Sequence, residues 1–238
     1  MRKAAPWALG LAAASAAGLA LSGLGARAGL WDFRAGFSVL RWSAYGGIAA
    51  AALAVFAGFR EREAKNASLA LSALILGLLV AGIPWMWLRA AKSAPPIHDV
   101  STDTEDPPRF EAVLTLRRGA PNPPDPASPE VVARQKAAYP FLRPLDLEIP
   151  PGEAFERALG AVRRMGWEIA ASDSKKGMIE ATDTTLWFGF KDDVVVRVRP
   201  GPRGSRVDAR SVSRVGKGDA GANARRIKRL LRRVELGG

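Results

Sequence analysis

Three long runs without a charged residue dominate the first ninety positions of the chain. They cover residues 4–26, 42–59 and 66–88. A helix rises about 1.5 Å per residue, so runs of this length reach across a hydrocarbon core about 30 Å thick. Helices of soluble proteins carry a polar face, and these runs have none. The pattern therefore predicts three transmembrane helices within a membrane region of residues 1–92.

The first run also has features of a secretory signal peptide. Arg2 and Lys3 supply a basic start, and Ala26-Arg27-Ala28 matches the small-residue pattern of a cleavage site. The apolar run is longer than the core of a usual signal peptide, which favours an uncleaved span.

Positive charges between the runs predict the sidedness of the chain. Five lie on each side of the membrane, but the short loop of residues 60–65 concentrates three of them in six positions. This density favours a cytoplasmic loop and, in a bacterium, a periplasmic C-terminal domain of a multi-pass inner-membrane protein. Four tryptophans would then form an aromatic belt at the outer interface: Trp31, Trp42, Trp85 and Trp87.

Residues 93–149 have the composition of a proline-rich polar linker with one short helix. Pro95-Pro96 cannot continue the third helix, and residues 119–129 hold five prolines. Ser128 as an N-cap before Pro129 predicts a helix that ends near residue 138. Residues 110–116 alternate weakly and predict a short strand.

Residues 150–238 predict an α+β domain with the order α-β-β-β-β-α. Phe155, Leu159 and Val162 recur on one helical face. The last helix covers residues 219–234, with Asp219 as its N-cap. Short connections in this order predict an antiparallel sheet with helices on one face, so the fold class is a membrane-anchored α+β protein. The four predicted strands cover residues 167–171, 177–182, 194–199 and 206–215.

Two of these strands have distinguishable faces. Val194, Val196 and Val198 alternate with Val195, Arg197 and Arg199, which predicts one apolar and one mixed face. In the last strand, Arg210 and Arg214 share one face and Ser211 lies on the other.

Positive charge is concentrated in the C-terminal quarter of the chain. The formal net charge is +12, and residues 197–238 hold 13 basic against 3 acidic side chains. A basic amphipathic helix lies on anionic lipid, contacts nucleic acid, or packs its apolar stripe on the sheet and turns its charges to water. Six basic residues surround the stripe of the last helix: Arg225, Arg226, Lys228, Arg229, Arg232 and Arg233.

One set of candidate site residues lies in the last two strands and the start of the last helix. Glycines before a helix, next to arginines, predict an anion- or partner-binding site. A structural clamp is predicted if Arg210 or Arg214 pairs with Asp219, Asp193 or Asp192. Asp219 as N-cap would occupy the donors that an anion needs, which favours the clamp. The set comprises Asp192, Asp193, Arg210, Ser213, Arg214, Asp219, Asn223 and Arg226.

A second candidate set surrounds the single histidine and comprises His98, Asp99, Thr102 and Asp103. A histidine with neighbouring carboxylates has the chemistry of a divalent-cation site or of a His–carboxylate dyad. One imidazole is a poor metal-ligand set, and a segment of this composition is more often a solvated series of turns. The absence of cysteine excludes disulfides and Cys-ligated zinc, and we expect neither a metal nor a cofactor.

Three blocks of the sequence resemble a known family: IHDVSTDTEDPP (97–108), FKDDVVVRVRP (190–200) and RSVSRVGKGDAGANARRIKRL (210–230). Together they resemble the bacterial family called domain of unknown function 1499, in its longer form with N-terminal transmembrane helices. The resemblance covers most of the chain after the third hydrophobic run. It implies a membrane-attached envelope protein of Gram-negative type and assigns no reaction.

These observations lead to one main functional hypothesis and two alternatives. The main hypothesis is a non-catalytic inner-membrane protein, embedded in the lipid bilayer, whose periplasmic domain binds an envelope protein or anionic lipid. The first alternative is a membrane-bound hydrolase that uses His98 with nearby carboxylates. The second is a cytoplasmic nucleic-acid-binding domain, which is disfavoured because no aromatic-studded basic face or known binding motif occurs.

Overall fold

The computed structural model describes residues 4–61 and 63–237 and divides the chain into two compact units. The first unit comprises the chain up to Ala90 together with Leu186–Gly189, and the second comprises the rest. Arg2, Lys3 and Arg62, which contribute to the sidedness prediction, lie outside the described residues.

Three helices form the first unit: α1 (Ala4–Arg27), α2 (Phe33–Arg60) and α3 (Ala64–Ser93). Each is long and apolar enough to cross a membrane, which confirms the predicted spans. Helix α2 begins nine residues before the second uncharged run because Asp32 caps it, accepting a hydrogen bond from the Arg34 backbone at 2.8 Å. The Glu61 carboxylate accepts the backbone N–H of Ala4 at 2.9 Å and so joins the end of α2 to the start of α1.

Small side chains set the packing of the first unit. A Cβ atom at Gly47 would lie 2.8 Å from the carbonyl oxygen of Gly77, so only glycine permits the observed approach of α2 to α3. Ala8, Ala54 and Ala73 meet as one buried cluster of the three helices. Close backbone approach through small residues is the usual packing of helices in lipid, where apolar burial gives little drive for association.

The second unit is a six-stranded antiparallel sheet with helices on one face. Strands β1 to β6 run in the order β1-β6-β5-β4-β3, and β2 also pairs with β6. The predicted antiparallel α+β fold is thereby confirmed. The strands are β1 (Asp99–Ser101), β2 (Leu145–Leu147), β3 (Glu168–Asp173), β4 (Met178–Thr184), β5 (Lys191–Gly201) and β6 (Gly204–Ser213). The helices are α4 (Pro129–Ala138), α5 (Pro151–Arg164) and α6 (Ala222–Glu235), and Ala112–Leu114 form a 3-10 helix.

The core lies between the sheet and helices α5 and α6. Alternate residues of β5, Val194, Val196 and Val198, join it from the sheet because side chains of a strand point to opposite faces in turn. Helix α6 contributes its apolar stripe, of which Ile227 and Leu230 are fully buried. The stripe therefore packs on the sheet, and the basic residues of α6 other than Arg226 are exposed to water.

Residues 93–149, for which the composition predicted a linker, form part of the domain. Strand β1 pairs with β6 along Asp99–Ser101, and β2 pairs with the other half of β6 along Leu145–Leu147. Ile97, Val100 and Leu142 join the main core. Strands of three residues are too short to show an alternating pattern, so the composition of the surrounding turns dominated the prediction.

The predicted strand at residues 110–116 was wrong, since this segment contains the 3-10 helix instead. The Glu180 carboxylate accepts the backbone N–H groups of Glu111, Ala112 and Val113 at 2.8–3.0 Å. A carboxylate about seventy residues away thus satisfies donors that a strand would have given to a neighbouring strand. Sequence periodicity contains no signal for such a long-range cap.

Candidate functional site

The first set of candidate residues separates onto the two faces of the sheet. Asp192 and Ser213 face helix α6, whereas Asp193, Arg210 and Arg214 lie on the opposite face, as the alternation of strands requires. We call the residues around Arg226 the helix-side cluster: Asp183, Asp192, Ser211, Ser213, Asn223 and Arg226. We call those around Asp193 and Arg210 the far-side cluster: Asp99, Arg117, Thr182, Asp193, Arg210 and Arg214.

Arg226 is the centre of the helix-side cluster and is 2% exposed. Its guanidinium donates to Asp192 at 2.6 Å and to Asp183 at 2.7 Å, so two carboxylates from β4 and β5 hold it. It also donates to Ser211 at 3.2 Å and to the side-chain oxygen of Asn223. All three nitrogen atoms of the guanidinium therefore donate hydrogen bonds, and these bonds connect α6 to three strands.

Asn223 links α6 to the segment before β1. Its amide nitrogen donates to the carbonyl oxygen of His98 at 3.0 Å and to Ser213 at 3.1 Å. Its amide oxygen accepts the Ser211 hydroxyl at 2.7 Å. Both ends of the fully buried side chain are thus satisfied, as a buried amide requires.

Asp193 is the centre of the far-side cluster and is fully buried. Arg214 donates to both carboxylate oxygens at 2.8 and 2.9 Å, Arg117 donates at 2.5 Å, and the Thr182 hydroxyl donates at 2.6 Å. Burial acts to raise the pKa of Asp193, but the hydrogen bonds of Arg214 and Thr182 and the arginine charges outweigh burial and lower this pKa. The Arg214–Asp193 pair named in the clamp hypothesis is therefore present.

Arg210 pairs with Asp99 rather than with the three aspartates that the clamp hypothesis considered. Two parallel hydrogen bonds of 2.7 and 3.0 Å join its guanidinium to the Asp99 carboxylate. It also donates to the carbonyl oxygens of Pro124 and Asp125 at 3.0 and 2.6 Å. Arg210 is 1% exposed and fastens the proline-rich segment against the far face of the sheet.

Asp219 stands just before helix α6 and uses both carboxylate oxygens on the protein's own backbone. It accepts the N–H groups of Gly221 and Asn223, each at 2.7 Å. The predicted N-cap position is wrong by two residues, because Gly221 takes the left-handed conformation (φ 77°) immediately before the helix. Burial raises the pKa of Asp219. Two of the donors that an anion would need are thus already occupied.

The second candidate set does not come together around His98. Asp99 is bound to Arg210, and Thr102 accepts the backbone N–H of Ala209 at 2.9 Å. Asp103 binds Arg199 and Arg206 at 3.0 and 3.2 Å. Burial acts to raise the pKa of Asp103, but hydrogen bonds from the backbone of Asp106 and Glu105 and nearby arginines lower it.

The His98 imidazole makes no hydrogen bond or ion pair with any part of the chain that the structure describes. A His–carboxylate dyad needs a carboxylate within hydrogen-bond reach of the ring, and residues 4–61 and 63–237 place none there. Over the same residues, no three histidine or acidic side chains converge as a metal-ligand set.

A group of arginines at the ends of α5 and α6 was missed by residue patterns. They line an open cavity of about 250 Å³ in the second unit. Arg229 and Arg233 recur at the i, i+4 spacing of one helix face, which the sequence does show. Arg164, which comes from a helix more than sixty positions earlier, carries no such signal. The cavity is lined by Arg164, Met165, Trp167, Asp183, Arg229 and Arg233.

Comparison with known proteins assigns a family and no activity. The family described as "Protein of unknown function (DUF1499)" matches residues 99–234, which is more than half of the chain. No curated protein and no solved structure matches the chain. The chain belongs to this family, as the three sequence blocks indicated.

Proposed function

We propose that this member of the family is a multi-pass inner-membrane protein whose periplasmic domain binds anionic lipid without catalysing a reaction. The observation that carries the proposal is the outer surface of α6, whose cations are exposed while its apolar stripe is buried in the core. We call these five cations the outer α6 cations: Arg225, Lys228, Arg229, Arg232 and Arg233.

The outer α6 cations carry charge that the rest of the domain does not neutralise. Arg117, Arg210, Arg214 and Arg226 are matched by internal aspartates. By contrast, no described carboxylate forms an ion pair with any outer α6 cation. The Lys228 Nζ lies 5.0 Å from the centre of the Phe141 ring. The Arg225 guanidinium donates to the Ala220 carbonyl oxygen at 3.0 Å. Each basic residue near an anionic membrane contributes about 1 kcal/mol of attraction.

The chain keeps the second unit close to the bilayer. Ile97, which is buried in the main core, follows the last residue of α3 by only four positions. Four residues span at most about 14 Å, so the start of this domain stays near the end of α3 in any arrangement of the two units. A basic surface on such a domain encounters lipid head groups at high local concentration.

The periplasmic location rests on the positive charges of the chain. The short loop between the second and third spans holds three basic residues within positions 60–65. Such loops lie in the cytoplasm, and three spans then put the C-terminus on the other side of the membrane. Every aspartate of the two clusters forms an ion pair with an arginine. This pairing supports a binding role rather than a catalytic one, because a paired carboxylate is not free to act as a general acid or base.

Native mass spectrometry of the full chain, released from detergent with added lipid, tests the proposed binding. We expect phosphatidylglycerol to be retained more strongly than phosphatidylcholine, and replacement of the outer α6 cations by glutamine to remove this preference. The control replaces exposed basic residues elsewhere in the domain, Arg118, Lys175 and Lys217. Equal retention of both lipids by the unaltered protein would contradict the proposal.

Protease treatment of spheroplasts tests the sidedness. A tag after the C-terminus should be digested while the inner membrane is intact. Protection of the tag until lysis would place the domain in the cytoplasm and overturn the periplasmic part of the proposal.

A further inference from the structure

Three arginines from two helices line the cavity at the ends of α5 and α6. Arg164 is the last residue of α5, and Arg229 and Arg233 lie one turn apart on α6. All three are exposed, and the cavity that they line measures about 250 Å³. A planar guanidinium with five N–H donors matches the oxygens of a phosphate group, so three of them around one space form a suitable receptor.

The charge of this cavity is positive because its single acid is already neutralised. Among the described residues that line the cavity, Asp183 alone is acidic, and its carboxylate accepts from Arg226 at 2.7 Å. Across residues 4–61 and 63–237, no carboxylate pairs with Arg164, Arg229 or Arg233. Like charges one helical turn apart repel each other, and an anion between them relieves that repulsion.

Trp167 gives the cavity a large apolar side chain beside its arginines. It is 6% exposed and lines the same space as the arginines. An apolar side chain excludes water from part of the space, so a bound anion interacts more strongly with the arginine charges there.

The helix dipoles of α5 and α6 offer a second explanation for the arginines at this cavity, one that involves no ligand. The negative C-terminal end of a helix favours cations, and the last turns of α5 and α6 each hold two arginines. All four arginines are placed to interact favourably with a helix dipole. Two of them, Arg163 and Arg232, do not line the cavity, and the other two, Arg164 and Arg233, do. The dipole therefore accounts for basic residues at these ends, and it does not account for their convergence with Arg229.

We infer that the cavity lined by Arg164, Trp167, Arg229 and Arg233 is a binding site for a phosphate group. The inference deepens the proposed function, and it rests on that function only for the source of the phosphate. A phosphate of an anionic lipid head group and a soluble phosphate ester present the same oxygens to the three arginines.

The test uses the full chain and a pair of matched double variants. R229Q/R233Q removes two cavity cations, and R118Q/R163Q removes two exposed arginines that belong neither to the cavity nor to the outer α6 cations. Phosphorus NMR measures binding of glycerol phosphate to the protein in phosphatidylcholine nanodiscs, and native mass spectrometry measures retention of phosphatidylglycerol. We expect R229Q/R233Q to weaken phosphate binding by about tenfold, and R118Q/R163Q by less than about twofold.

The outcomes separate this site from the wider lipid-binding function. If both variants weakened phosphate binding equally, the cavity would not be the phosphate site. Lipid retention would then be attributed to general surface charge. Selective loss of glycerol phosphate binding in R229Q/R233Q, without any preference for phosphatidylglycerol in the unaltered chain, would keep the site and overturn lipid as its ligand. Failure of the unaltered protein to bind either probe would overturn both.

Discussion

The far-side cluster and the outer face of α6 use the same residue type under opposite conditions. Arg210 is 1% exposed and forms two hydrogen bonds with one carboxylate, whereas Arg229 and Arg233 are exposed and pair with no described carboxylate. The buried arginines balance internal aspartates and position segments of the chain. The exposed ones supply the surplus charge that a partner can meet. Counting charges along the sequence therefore gives the surplus of positive charge, but it does not show which basic side chains are left without an acidic partner.

The two regions should also differ in what their charges contribute to stability. A buried pair is costly to break because the remaining charge stays desolvated, whereas an exposed charge is screened by water. Substitutions in the clusters are thus expected to affect folding, and substitutions on α6 are expected to affect binding. The following predictions test this division.

The largest expected effect is that of Asp193→Ala. It leaves the buried Arg117 and the half-buried Arg214 without their carboxylate, so we expect the free energy of unfolding to fall by about 3–5 kcal/mol. Urea titration of the full chain in detergent, followed by near-ultraviolet circular dichroism, measures the change. As a control, Glu130→Ala removes an exposed i, i+4 pair with Arg134 and should lower stability by about 0.3–0.5 kcal/mol. Equal effects of the two substitutions would contradict the division.

Asn223→Ala should have the next largest effect. It leaves the buried Ser211 hydroxyl without its acceptor and removes one acceptor of the buried Arg226 guanidinium, which costs about 1–3 kcal/mol. The same urea titration measures it. Asn223→Asp keeps an oxygen for Arg226 and Ser211 but places a second oxygen against His98, so it should also destabilise the fold. A change below about 0.5 kcal/mol for both variants would show that the helix-side cluster contributes little.

The pH dependence of stability should separate Asp193 from Asp219. The pKa of Asp193 is lowered, so its stabilising contribution is present above its ordinary pKa of 3.8 and is lost as the pH falls through the folded value. The pKa of Asp219 is raised, so its contribution is present below 3.8 and is lost as the pH rises through the folded value.

Unfolding titrations of the unaltered chain, Asp193→Asn and Asp219→Asn between about pH 3 and pH 7 test these opposite signs. The deficit of Asp193→Asn should shrink as the pH falls. The stability of Asp219→Asn relative to the unaltered chain should increase as the pH rises. If both differences changed with pH in the same direction, the assignment of the two carboxylates would be wrong.

The smallest expected effect on folding is that of Arg229→Gln. It removes an exposed like-charge contact with Arg233, so stability should rise by about 0.2–0.5 kcal/mol or stay constant. Urea titration measures this, with Arg163→Gln as the matched control at the end of α5. A loss of more than about 1 kcal/mol would show that Arg229 supports the fold and would remove the contrast with the buried arginines.

Much of the fold was predictable because its signals are local. The uncharged runs of α1, α2 and α3 needed no knowledge of neighbours, since length and the lack of a polar face are properties of one segment. The alternation of Val194, Val196 and Val198 predicted both a strand and its buried face. Strands β1 and β2 escaped prediction because three residues are too few to show a period.

The candidate sites were less predictable because they depend on long-range partners. Residue patterns placed Arg210 and Arg214 on one face of β6 and Ser211 on the other, as the structure has them. They did not pair Arg210 with Asp99, which lies 111 positions away. They also treated the last helix as one basic surface, although Arg226 is buried in the helix-side cluster.

The sequence by itself determined the membrane helices, the antiparallel α+β domain, the family and the surplus of positive charge. Each of these depends on period, length or composition within a short stretch of chain. Only the tertiary structure decided which charges are neutralised, that Asp99 belongs to Arg210, and that Arg164 shares a cavity with Arg229 and Arg233. The physical reason is that pairing and convergence depend on distances in space, which the folded chain sets between residues far apart in sequence.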